Sequence, residues 1–116
     1  MDKLNNSISE FNKTQNDFGY LLSFEVSREL NEVGCTDYSV DIYLCNYPND
    51  RNDKILLRFT GVKNLKFGDV DRLVKNFVSI SDISTHQIEG VKYSVKEEEN
   101  ETFSFYCKTF CYEIVH

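Results

Sequence analysis

His86 closes the stretch Ser79-Ile80-Ser81-Asp82-Ile83-Ser84-Thr85-His86, and with Asp82 and Ser84 it supplies the three residue types of a nucleophilic triad. A triad is assembled in space rather than by adjacency, and neither Ser81 nor Ser84 has the glycine context of a nucleophile elbow. His86 therefore reads as a loop histidine, no residue is given a catalytic role, and the chain reads as a non-enzyme. Metal chemistry has no better footing. Two histidines, one of them the terminal His116, and four cysteines with no Cys-x-x-Cys pair lack the spacing of a zinc site. Asp50, Asp53, Asp69 and Asp71 lack the alternating oxygens and the glycine of a calcium loop, so they read as turn and cap residues. The five glycines form no phosphate-cradling loop, and no cofactor is expected.

Charge is more informative. The net charge is −6, unevenly spread: residues 1–50 hold three basic and nine acidic groups, residues 51–75 seven and three, and residues 76–116 three and seven. The basic middle, with Arg51, Lys54, Arg58, Lys63, Lys66, Arg72 and Lys75, could form an RNA face stacking bases on Phe59 and Phe67. Those aromatics are explained more simply as core, and an acidic total argues against direct nucleic-acid or anionic-membrane binding. The densest charge is the run Lys96-Glu97-Glu98-Glu99-Asn100-Glu101. Its bland reading is a solvated hairpin connection; its functional reading is an acidic patch that steers a basic partner into contact.

The elements that must carry these groups are mostly strands. In Lys54–Phe67, KILLRFTGVKNLKF, Ile55, Leu57 and Phe59 share one side of an extended chain, and Leu56 breaks the polar side, so that side is expected to be partly covered too. Gly61 marks a bulge or turn before a second short strand, and the stretch is the expected centre of a sheet. Tyr20–Val26 alternates, Tyr38–Cys45 alternates most cleanly, and Pro48 presets a turn before the central strand. Val91–Val95 and Phe103–Ile114 read as a closing hairpin, with a bulge where the alternation slips between Cys107 and Phe110. Val70, Leu73, Val74 and Phe77 keep helical spacing behind a capping Asp69.

The expected fold is α+β: a mainly antiparallel sheet of six to seven strands, curled or partly closed, with one short helix. Residues 1–16, whose Leu4, Ile8 and Phe11 mark a weak helix, are expected to be a flexible or loosely docked leader to a single domain over 17–116. The N-terminus has no apolar signal region and no run is long enough to span a bilayer, which points to the cytoplasm and to Cys35, Cys45, Cys107 and Cys111 as free thiols.

Leu57, Phe59, Gly61, Val62 and Leu65, as L-x-F-x-G-V-x-x-L, and Phe103, Phe105 and Cys107, as F-x-F-x-C, give the chain a resemblance to small acidic bacterial immunity proteins of polymorphic or contact-dependent toxin systems. The likeness spans residues 18–112 as a pattern of strands. It implies a single β-rich domain without cofactors that binds and occludes one toxin domain, often a basic nuclease. Glu97, Glu98, Glu99 and Glu101 are then the expected partner-binding carboxylates, and Tyr43 and Tyr106 the aromatic anchors. The alternatives are a phage- or plasmid-encoded acidic inhibitor of a host defence enzyme and a self-associating structural domain with open sheet edges. The toxin, the binding face and the oligomeric state are not specified by the sequence.

Overall fold

The apolar alternation of Lys54–Phe67 places it in the middle of the sheet, where both its edges are paired. The computed structural model describes residues 7–28, 38–46, 53–68, 75–86 and 90–115. In chain order these form α1 (Ile8–Gln15), β1 (Tyr20–Arg28), β2 (Tyr38–Cys45), β3 (Lys54–Phe67), β4 (Val78–Asp82), a single 3-10 turn (Ser84–His86), β5 (Tyr93–Glu97), β6 (Phe103–Cys107) and β7 (Thr109–Val115). All seven strands join one antiparallel sheet of order β1-β2-β3-β6-β5-β4, with β7 also paired to β3. The domain is thus mainly antiparallel β with one short helix among the described residues. The sheet is not closed, yet it curls: the Gly19 carbonyl accepts from the Asn76 N–H at 2.6 Å and Tyr20 bridges Lys75, so β1 meets the approach to β4 at one end.

β3 is one strand with two sets of partners. Its first half lies between β2 and β7, with Phe59 opposite Phe110, and its second half pairs β6, with Lys63 opposite Tyr106 and Phe67 opposite Phe103. The exchange of β7 for β6 occurs at Gly61. Its φ of +64° suits glycine, and a Cβ there would stand 2.7 Å from the Lys108 Cβ. Lys108 is the break between β6 and β7, and its N–H returns to the Thr60 carbonyl at 2.9 Å. The slip in alternation between Cys107 and Phe110 is therefore the partner of the kink at Gly61, two halves of one bend.

Period-2 alternation buries Val40, Ile42 and Leu44 of β2, Ile55, Leu57 and Phe59 of β3, Val95 of β5, and Phe103, Phe105 and Cys107 of β6 on one side. Phe59 joins the two halves of that core, edge-on to Phe105 at 4.9 Å and stacked with Phe110 at 6.3 Å. Ser7 caps α1, accepting from the Glu10 N–H, and the helix lays Phe11 into the core against Tyr112, with ring centroids 5.3 Å apart. The Gln15 amide then behaves as a strand neighbour. It donates to the Val78 carbonyl at 2.9 Å and accepts from the Val78 N–H at 3.0 Å, which satisfies the edge of β4.

The helix expected over Asp69–Phe77 rests on Val70, Leu73 and Val74, which lie outside the described residues; Lys75–Phe77 are not helical. Cys35, the Pro48 turn and His116 also lie outside them. Cys45, Cys107 and Cys111 are free thiols, and burial pushes Cys107 up to about 12.

Candidate partner-binding surface

The run that begins at Lys96 separates into one buried glutamate and three exposed ones, and the strand period explains the separation. Tyr93, Val95 and Glu97 are alternate residues of β5, so Glu97 points the same way as two core side chains, and it is only 1% exposed. This corrects the expectation that Glu97 stands in water with its neighbours. A buried carboxylate must be held by donors, and Glu97 has five. Its Oε2 accepts from the N–H groups of Phe77 at 2.9 Å and Glu99 at 2.8 Å. Its Oε1 accepts from the N–H of Asn100 at 2.7 Å, the N–H of Thr102 at 3.3 Å and the Thr102 hydroxyl at 3.1 Å. Burial pushes this carboxyl up, but the backbone N–H donors outweigh it and hold Glu97 below the usual glutamate range.

The result is a fixed turn. Glu98–Asn100 wraps around the Glu97 carboxylate, Glu101 takes the left-handed conformation with φ of +53°, and the Asn100 side chain donates to the Lys75 carbonyl at 2.8 Å. Glu98, Glu99 and Glu101 are left exposed at the end of the β5–β6 hairpin, with Glu98 facing the Lys96 ammonium at 3.8 Å.

Tyr106 lies on the same hairpin, on the outer side of β6 between buried Phe105 and Cys107, and is half-buried. It lines a groove of about 610 Å³ together with Lys66, Ser94, Lys96 and Ser104. Glu101 lines an adjoining groove that shares Lys66, Lys96 and Ser104. Tyr43 is also half-buried and on the outer side of the sheet, but it pairs with Ser23 and Leu56. Seven residue steps along β3 separate Leu56 from the Tyr106 partner Lys63, at most about 23 Å of strand. Tyr106 and Glu101 thus line adjoining grooves of one hairpin, and Tyr43 lies on the other half of the sheet.

The triad residue types around His86 have a structural role instead. Asp82 accepts from the Ser84 hydroxyl at 2.7 Å and from the Ser84 N–H at 2.9 Å, closing the 3-10 turn. Those two bonds, the hydroxyl first, hold the Asp82 carboxyl below its ordinary value. Among the described residues no group of three or more His, Cys, Asp or Glu is placed to hold a metal ion, and no helix is long and apolar enough to cross a membrane.

What sequence reasoning missed is the division of labour inside the acidic run. Tyr93, Val95 and Glu97 carried the signal in their alternation, but Glu97 was grouped by charge.

Comparison with curated proteins and with solved structures gives no match. The immunity protein PIM8 family model matches residues 3–113, which takes in every strand but the last two residues of β7, the acidic turn and the groove beside it. By that match the chain belongs to the immunity protein PIM8 family.

Proposed function

We propose that this protein neutralises a cognate bacterial toxin domain in the cytoplasm by binding it one to one, without catalysis. Family membership carries the reading, since it spans nearly the whole chain. The geometry supports a place for the contact. Glu98, Glu99 and Glu101 are exposed on a turn that the buried Glu97 holds in one shape, so three carboxylates are presented without the ordering cost of a floppy loop. The half-buried Tyr106 stands on the adjoining strand as the aromatic anchor, while Tyr43, on the other half of the sheet, serves only a toxin broad enough to cross both halves. The matching toxin surface is basic at the turn, as in a nuclease that grips phosphates. The mechanism is occlusion: the toxin's functional surface is covered, and the carboxylates accelerate capture.

Changing Glu98, Glu99 and Glu101 together to glutamine tests this placement. Association with the cognate toxin domain should slow roughly tenfold at low ionic strength, with a shallower salt dependence. An unchanged rate and salt slope would move the contact elsewhere. Glu97 is left intact in this variant because its loss would unfold the turn rather than discharge it.

A further inference from the structure

The outer side of the β4–β5–β6 sheet has a composition that burial and strand propensity do not explain. Ser79 and Ser81 of β4, Ser94 of β5 and Ser104 of β6 all point away from the core, on three neighbouring strands. Their register makes a continuous floor: Ser81 faces Ser94, Ser94 faces Tyr106, and Lys96 stands between Ser79 and Ser104. Outward positions of a stable sheet favour β-branched or aromatic side chains, which cover neighbouring backbone. Four serines leave the backbone low and the floor studded with hydroxyls.

The rim is cationic. Lys66, opposite Ser104, lines the groove with Lys96, and Lys63, opposite Tyr106, reaches from the next row toward Gly90. Among the described residues neither Lys63 nor Lys66 takes part in a salt bridge, and Lys96 has only the exposed contact to Glu98. The groove of about 610 Å³ takes in the β5–β6 part of this floor, lined by Lys66, Ser94, Lys96, Ser104 and Tyr106, with Ser79 and Ser81 beside it on β4. Among the described residues the other carboxylates near it are Glu101, at the adjoining groove, and Glu97, which is committed to its five donors.

We infer that this serine-floored, lysine-rimmed groove receives an acidic, extended segment of the cognate toxin, a second contact of opposite sign to the one made by the acidic turn. The inference rests on the toxin-binding reading. Hydroxyl donors in the floor and ammonium groups on the rim both suit carboxylates, whereas an apolar segment would gain nothing from a floor of serines. A low floor admits an extended chain whose side chains alternate between the groove and solvent. Two adjoining patches of opposite charge also fix the orientation of the toxin, because a partner docked the other way round sets like charges against like.

The test is a kinetic sign. Changing Lys63, Lys66 and Lys96 to glutamine makes an already acidic chain more acidic, so if the groove is bystander surface, long-range attraction to a basic toxin should increase or stay level. If an acidic segment docks there, association slows by about tenfold despite the larger overall attraction. The expected result is slowing, together with zero-length carbodiimide crosslinks in the wild-type complex that join Lys66 and Lys96 to toxin aspartates or glutamates. An unchanged or faster rate, or crosslinks confined to Lys13, Lys54 and Lys92, would overturn the inference and leave the toxin-binding reading intact. A wild-type protein that fails to bind the toxin overturns both. Lysine-dependent capture of a labelled single-stranded RNA in place of the toxin segment would also overturn it. The three lysines are exposed, so an unchanged melting temperature shows that the variant is folded.

Discussion

The two halves of the sheet present opposite kinds of outer face. On the β1–β2–β3–β7 half part of the face is paired within the sheet: Leu56 is only 4% exposed although it points away from the core, Asp41 pairs with Arg58 at 3.7 Å, and the hydroxyls of Thr60 and Thr109 bond to each other. On the β4–β5–β6 half the corresponding positions are serines and lysines over an open groove. One strand, β3, serves both halves, and its bend at Gly61 separates them. Among the described residues the first face matches part of its charge internally, whereas the second carries Lys66 without an ion pair beside the three exposed carboxylates of the fixed turn. The proposed contact surface lies on that second half.

The largest effect should come from breaking the joint that both halves share. Phe59→Ala removes a fully buried ring that touches both Phe105 and Phe110, and should cost about 3–5 kcal/mol in chemical denaturation. Both halves should be lost in one transition, by tyrosine fluorescence and by far-ultraviolet dichroism alike.

A smaller effect, confined to the β4–β5–β6 half, should follow Glu97→Gln. A glutamine can accept through one oxygen only, so the N–H pair of Phe77 and Glu99, or the donors of Asn100 and Thr102, would face an amide NH2. The expected loss is about 1–3 kcal/mol. The sign of its pH dependence follows from the depressed folded-state value: the carboxylate contributes its full stability above the unfolded glutamate range, and that contribution is lost as pH falls through the folded value. Acid titration of the wild type should therefore show a fall in stability that the glutamine variant shows only weakly. An identical acid limb in the two proteins would contradict the role given to Glu97. Toxin association should weaken in the same variant, since Glu98, Glu99 and Glu101 lose their fixed positions.

The smallest effect should come from the β1–β2–β3–β7 half. Asp41→Asn breaks an ion pair whose side chains are 28% and 53% exposed, and should cost about 1 kcal/mol or less by thermal melting, with toxin binding unaltered. A marked loss of toxin binding in this variant would reverse the comparison between the two halves.

Much of this architecture could be read from local alternation. Tyr38–Cys45 and Lys54–Phe67 repeat every second residue with few interruptions, and the structure builds strands over the same bounds. Leu56 announced a covered outer face by standing apolar among Lys54 and Arg58, and the slip before Phe110 announced the bend. The helix was a different case. Residues 1–16 hold three apolar positions, enough to expect a flexible or loosely docked leader, and in the structure Phe11 is fully buried and Gln15 bonds Val78 across 63 residues of sequence. Such docking depends on a partner strand that local periodicity does not see. The site was legible in part: the acidic run stood out by charge, and the family likeness came from core residues. The serine floor did not stand out, because its four serines come from three strands and become neighbours only through register.

The most direct test of the account is a titration of the purified cognate toxin domain with this protein while the toxin's activity is followed. The account predicts a linear fall to complete inhibition at one equivalent, with a one-to-one complex recovered by sedimentation. Residual activity at large excess, or inhibition that continues to grow with time at substoichiometric amounts, as an enzyme acting on the toxin would give, would contradict it.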